Sequence, residues 1–391
     1  LADANGMRSP ITFIAAVLAG LLCAAPALAG KSHRTSTTTT STTTVATATA
    51  SAPTVARTVP LRTDGRIPIG FNEDYSLTRI WADSATATPW VAADADASAA
   101  AGATVSRTPL YWKGVQPTKT SWNWGTYDRI IGAHSARGMR VIVNVSGTPD
   151  WAKQNCGAGC VFNLANLADF SAFVTALADR YGTRLAGIEI YNEPNSAKYW
   201  GGPADPELYK QVLCAGYDGA QAATVRLPIA GGSLAPNMAN VNGDIRMDQY
   251  LSRMLQAGAT PCMDVISFHP YPFSTDLTSS TSMFQKEFAQ IRALRDYYKP
   301  SMRLWVTETG LSLATAGITQ AVQATTIPAI YDTIAAMPQN DVDMVVVHTL
   351  VQSSGTLGYG LGQLVADAAG GPSFVPTPGY LALQGKFAQG R

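Results

Sequence analysis

From Arg66 onward, short apolar runs alternate with longer segments of helical spacing. The runs 67–71 (IPIGF), 103–110 (ATVSRTPL), 139–145 (MRVIVNV), 185–191 (LAGIEIY), 226–231 (RLPIAG), 263–268 (MDVISF), 303–307 (RLWVT) and 342–349 (VDMVVVHT) read as strands. Most are rich in Val, Ile or Leu, as parallel strands buried on both faces require. Between them, "NLADFSAFVTALADRYG" puts Leu167, Phe170, Val174, Leu177 and Tyr181 on one stripe and stops at Gly182. "PELYKQVLCAGYDGAQAA", "SMFQKEFAQIRALRDYY" and "TQAVQATTIPAIYDTIAAM" have the same spacing, with a kink expected at Pro328, and "TPGYLALQGKFAQ" supplies a last helix.

Eight strands, each followed by a helix, predict an α/β fold: a (β/α)8 TIM barrel forming a single catalytic domain over 59–391. A doubly wound open sheet is the alternative. It usually has fewer strands, and no Gly-rich phosphate fingerprint follows the first strand here. In such barrels the chemistry gathers at the C-terminal ends of the strands, where the βα loops converge.

The residues before the barrel read differently. Met7-Arg8 opens a short positive region, and "ITFIAAVLAGLLCAAPALA" is an apolar stretch closed by an A-x-A site, so cleavage after Ala29 and secretion are expected. Residues 1–29 are thus upstream sequence and signal peptide; a retained membrane anchor is the rival reading. Residues 30–58, dominated by Thr, Ser and Ala, cannot bury a core and read as a disordered linker.

The chain of 391 residues is 46% hydrophobic and only 14% charged, with a formal net charge of +1. It has apolar material for a large core, and its balance recruits neither nucleic acid nor an anionic membrane. After Cys23 leaves with the signal, Cys156, Cys160, Cys214 and Cys262 remain. Export favours disulfides. The closeness of Cys156 and Cys160 pairs them, leaving Cys214 with Cys262. A CxxxC metal pair competes, but it lacks nearby His or Cys partners.

Two strands end on a glutamate: "GIEIYNEPN" at Glu193 and "RLWVTETG" at Glu308. On a barrel both face one cleft. Cleavage of a glycosidic bond with retention needs two carboxyl groups roughly 5–5.5 Å apart, one giving a proton to the leaving oxygen and the other attacking the anomeric carbon. Neighbouring carboxyls resist double ionisation, which keeps one protonated. Asn192 beside Glu193 is suited to hydrogen-bond a sugar 2-hydroxyl, and Pro194 fixes the chain as it leaves the strand.

N-E-P after the fourth strand and T-E-T-G at the seventh resemble the signature of the large clan of retaining glycoside hydrolases on (β/α)8 barrels, the cellulase-like superfamily. "IYNEPN" with "WVTETG" is most similar to its family 39 branch. The resemblance covers nearly all of residues 66–391. It implies that Glu193 is the acid/base and Glu308 the nucleophile, with Arg107 near the nucleophile keeping it ionised. It implies that His269 and Tyr271 of "SFHPYP" are a His-x-Tyr pair at the site, the tyrosine bonding the nucleophile and the histidine contacting substrate or the acid/base. The segment "RTPLYWKGVQPTKTSWNWGTYDRII" resembles the clan's second strand and its loop and helix, including Trp122, Trp124 and Asp128. One departure bears on the substrate: the eighth strand usually ends on a tryptophan that floors the reacting sugar's seat, and "DMVVVHTLVQ" has His348 and Gln352 instead. Either another aromatic supplies the floor or the sugar differs.

Trp112, Trp151, Tyr199 and Trp200 fall in predicted βα loops, where aromatics stack on sugar faces, and two of the four are expected in the cleft, Trp151 foremost. His348 is balanced between substrate contact and an internal hydrogen bond; His134, on an outer helix, is expected at the surface. A metal site of His269, His348 and the glutamates lacks ligand spacing in sequence, and the mechanism needs no cofactor. The expected protein is a secreted, monomeric retaining glycosidase acting on a polysaccharide or oligosaccharide. Because the barrel is expected to fill the chain after the linker, without the β-sandwich of many exo-acting relatives, endo action is expected. A carbohydrate-binding pseudoenzyme, a stalk-displayed adhesion protein and a transglycosylase are the alternatives.

Overall fold

The computed structural model describes residues 57–73, 84–153, 163–236, 240–272, 276–337, 341–352 and 358–390. The predicted signal peptide, residues 30–56 of the predicted linker and the predicted Cys156–Cys160 pair lie outside them.

Eight parallel strands close into a barrel: β1 (Ile69–Asn72), β2 (Val105–Tyr111), β3 (Arg140–Ser146), β4 (Leu185–Ile190), β5 (Ile229–Leu234), β6 (Val265–Phe268), β7 (Arg303–Val306) and β8 (Val342–Val347). Closure is made by β1 pairing with β8, Ile69 opposite Val345 and Phe71 opposite Val347. The strands are buried almost throughout, as their near-continuous apolar runs require.

Two apolar layers follow from the alternation of side chains across each strand. Val105, Ile142, Ala186, Ala230, Val265, Trp305, Met344 and Val346 form a cluster of their own with Val59. Gly187 makes room in it for the Trp305 ring, since a Cβ there would lie 2.6 Å from Cη2. The Trp305 indole donates to Thr58 Oγ1 at 3.0 Å, and the Thr58 backbone N–H donates to Asp343 at 3.1 Å, so the chain just before Val59 is tied to the barrel. The larger core packs helices against strands. Helix Leu167–Tyr181 buries Phe170, Phe173, Val174, Leu177 and Tyr181 and ends at Gly182 with φ +52°. Asp205 and Asp276 cap the helices Pro206–Ala222 and Leu277–Tyr298 by accepting from two backbone N–H groups each. The expected Cys214–Cys262 disulfide is present.

Three features depart from the sequence reading. Strand β5 runs through Gly231-Gly232-Ser233, which resembles a turn in sequence; a register shift there and φ +44° at Ser233 let the strand bend without ending. A two-stranded antiparallel hairpin, β9 (Gly362–Ala366) and β10 (Pro372–Pro376), follows the barrel. His134 is fully buried, not at the surface, because its helix packs against Ser84–Ala100. Its Nδ1–H donates to the Ile130 carbonyl at 2.9 Å, and its Nε2 lies 3.3 Å from Glu73 and 3.7 Å from Asp94, both buried. The helix Gln320–Ala335 continues across Pro328.

Candidate active site

A cleft of about 910 Å³ opens at the C-terminal ends of the strands. Its base is a polar layer inside the barrel. Register sets Asn72 of β1 beside Arg107 of β2, and Asn144 of β3 beside Glu189 of β4. Glu189 is fully buried and accepts from Arg107 Nε at 2.7 Å, Asn144 Nδ2 at 2.9 Å and Thr307 Oγ1 at 2.8 Å. Burial acts to raise its carboxyl, but the charges of Arg107 and His269 and the hydrogen bonds from Ser267 and Arg107 together outweigh this and hold it below the usual carboxylate range.

Arg107 carries this layer up to the reactive groups. Its terminal nitrogens donate to Glu308 at 2.6 Å, Asn192 Oδ1 at 2.8 Å, Asn72 Oδ1 at 3.1 Å and Ser233 Oγ at 3.1 Å. Such a planar fork orients several acceptors at once. Burial alone would lower its pKa; Glu189 and Glu308 reverse that and raise it above the ordinary arginine value.

Glu308 follows β7. The Tyr271 phenol donates to its second oxygen at 2.7 Å, and His269 and His348 each bring Nδ1 to 3.8 Å from that oxygen. Burial opposes ionisation, yet the charges of His269, Arg107 and His348 and the tyrosine hydrogen bond prevail, so the carboxyl is held well below its ordinary value. The Tyr271 phenol is pushed well up by burial and by the Glu308 charge, so it remains a donor.

Glu193 stands across the cleft, at the end of β4. Tyr191 and Glu193 both have positive φ, +61° and +47°, a conformation costing roughly 1–3 kcal/mol per non-glycine residue. Buried contacts hold it: Glu193 N–H donates to Ser233 O at 3.0 Å, and Tyr191 N–H to Val145 O at 2.8 Å. His269 Nδ1 lies 2.8 Å from Glu193 Oε1, and its Nε2 is 3.2 Å from Ser233 Oγ. One oxygen of each glutamate and a His269 nitrogen all lie within 4.8 Å of one another. Three such atoms have a spacing at which a cation could be held; the Arg107 guanidinium already supplies positive charge to Glu308 at 2.6 Å.

The structure therefore brings Glu193, Glu308, Asn192, Arg107, His269, Tyr271 and His348 together. Asn72 Nδ2 lies 2.9 Å from His348 Nδ1, and His348 lines the cleft. Three of the tryptophans do not join them. Trp112 is fully buried in an aromatic cluster with Trp151, Phe170 and Phe173. Trp151, the foremost expectation, turns its indole N–H to the Gln116 carbonyl and packs edge-on against Trp112. Trp200 is buried against Tyr191 and Tyr209. Of the four loop aromatics, Tyr199 lines the cleft.

Residues not singled out from the sequence complete the site: Asn72, Asn144, Glu189, Ser233 and Tyr359. Tyr359 stands edge-on to Tyr271 and His348, with centroids 5.4 and 5.2 Å apart, beside the end of β8 where a tryptophan was missed. The signal for Asn72 and Asn144 was a polar residue at a strand end. Tyr359, beyond β8 in a glycine-flanked loop, carried no signal.

The family model described as cellulase (glycosyl hydrolase family 5) matches residues 72–345, which takes in both glutamates. No curated protein sequence matches the chain. Among solved structures, a family 39 glycoside hydrolase from Bacteroides cellulosilyticus WH2 superposes with TM-score 0.61 at 18% identity, over 84% of this chain and 65% of that one. A monomeric β-xylosidase from Caulobacter crescentus CB15 gives 0.59 at 16% identity, over 84% and 69%. An exo-β-1,4-mannosidase from Opitutaceae bacterium strain TAV5 gives 0.56 at 16%, over 87% and 61%. Likeness at these identities concerns the fold, and the chain spans only about two thirds of each of these proteins.

Proposed function

The chain belongs to the cellulase family, glycosyl hydrolase family 5, and is an O-glycosyl hydrolase of the retaining clan; on that premise we propose that Glu308 is its nucleophile and Glu193 its acid/base. The observation that carries the assignment is the asymmetry of the pair. Arg107 and Tyr271 hold Glu308 as a carboxylate, while Glu193 faces His269, and their oxygens come within 4.8 Å. Oxygens that close suit direct attack by one carboxylate while the other gives a proton, as in a retaining pair.

Glu308 attacks the anomeric carbon as the bond to the leaving oxygen breaks, and Glu193 passes its proton to that oxygen. Glu193, now ionised, takes a proton from water, whose oxygen attacks the same carbon and releases Glu308. Asn192, held through its Oδ1 by Arg107, offers an amide to the sugar 2-hydroxyl. The substrate we infer is a β-linked oligosaccharide or polysaccharide. The size of the cleft supports cutting within a chain. The apolar N-terminal stretch closed by Ala27-Leu28-Ala29 supports export, and the likeness to a monomeric β-xylosidase supports a monomer.

Release of reducing ends from a panel of plant, fungal and bacterial polysaccharides tests this, with Glu308→Gln and Glu193→Gln alongside. Loss of the nucleophile is expected to cost several orders of magnitude in rate. Equal glycan binding by all three proteins with no cleavage would make the chain a binding protein.

A further inference from the structure

The cleft is longer than the gap between its two glutamates. Its volume of about 910 Å³ lies near the top of the range for small-molecule sites, roughly 300–1,000 Å³. From Glu193 it extends over the ends of β2 and β3 and the short helix Ala197–Trp200. Nine large hydrophobic side chains are exposed among the described residues, and scattered ones need no explanation. Two of the nine, Tyr111 and Tyr199, line this cleft, 38% and 49% exposed.

Both rings are set in place by their surroundings. Tyr111 lies over Gly147, where φ is +65° and a Cβ would come within 2.9 Å of the ring. Its backbone N–H is fixed 2.7 Å from the Tyr127 phenol oxygen. Tyr199 rides on a helix anchored by the buried Trp200, and the Lys198 ammonium sits 4.9 Å from its ring centroid. Ser146 and Ser196 line the same stretch. Apolar ring faces beside hydroxyls match a pyranose, which has C–H faces and a rim of hydroxyls.

We propose that Tyr111 and Tyr199 form a second sugar seat beyond the one between Glu193 and Glu308, so that the enzyme selects chains of several β-linked sugars over single glycosides. This rests on the glycosidase reading above.

The test compares cellohexaose, xylohexaose and mannohexaose with the matching β-glycosyl fluorides, which place one ring at the reacting centre. In Tyr199→Ala and in Tyr111→Ala, the ratio of kcat/KM for the hexasaccharide to that for the fluoride is expected to fall roughly ten-fold, the scale of one lost stacking contact. Tyr199→Phe, which keeps the ring, should keep the ratio, and thermal unfolding shows whether each variant is folded. An unchanged ratio in both alanine variants overturns the second seat while leaving the hydrolase. Should no probe be cleaved, calorimetric binding of the three hexasaccharides decides. A roughly ten-fold weaker Kd in the variants supports the seat without the hydrolase. Equal affinities, or no binding, overturn it.

Discussion

Replacing Arg107 by glutamine should destabilise the protein most near neutral pH. The guanidinium touches Glu189 at 2.7 Å and Glu308 at 2.6 Å, and all three side chains are almost entirely buried. Unit charges about 4 Å apart attract by about 4 kcal/mol at an effective dielectric near 20. Removing one partner of such a buried pair costs roughly 3–5 kcal/mol, because the remaining charge is left in a poor environment. The pH dependence has a definite sign. In the wild type both carboxyls are depressed below 4.5, so their contribution is present above that pH and is lost as pH falls. In the variant, burial without the cation raises both, so protonation relieves the strain as pH falls. The deficit of Arg107→Gln should therefore be largest at pH 7 and shrink towards pH 4, read by urea unfolding followed through tryptophan fluorescence. A deficit below about 1 kcal/mol at pH 7, where a buried pair calls for more, or one independent of pH, would refute the reasoning.

Tyr271→Phe removes the phenol bond to Glu308; a hydrogen bond to a charged group implies a loss of about 10- to 100-fold in kcat. Because that bond helps depress the Glu308 carboxyl, the acid limb of the pH–rate profile should move upward, and an unmoved limb would contradict the role. Cys214→Ser opens a disulfide spanning 48 residues, which chain entropy values at about 4 kcal/mol, visible as a lower unfolding midpoint under oxidising conditions. Burial raises the Glu73 carboxyl to about 7, so its contribution is present below 4.5 and lost as pH rises through about 7, on the order of 3 kcal/mol. Glu73→Gln lacks that slope and should gain on the wild type between pH 5 and 8; His134, lowered by burial, slopes the other way but is common to both proteins.

Hydrophobic pattern sufficed for the barrel because buried parallel strands leave little choice of residue, as the runs at 140–146 and 342–347 show. It failed where backbone geometry overrode composition, at Gly231–Ser233, where a bent strand delivers the Ser233 hydroxyl to Arg107 and His269. Both glutamates were legible because a carboxyl ending an apolar strand has no packing role. The tryptophans misled for the opposite reason: a large apolar ring in a loop is equally suited to stack on sugar or to pack into the core, and Trp112 and Trp200 pack into it. Glu189 passed unnoticed inside "GIEIY", since its role depends on Arg107, 82 residues away in sequence.

The central claim is that Glu308 forms a covalent bond to the sugar and Glu193 does not. The most direct test follows product anomers by proton NMR on a cleaved β-glycoside and digests protein inactivated with the matching 2-deoxy-2-fluoro glycoside for peptide mass spectrometry. The account predicts that the β-anomer forms first and that the label sits on the peptide containing Glu308. The α-anomer forming first, or a label on Glu193, would contradict it.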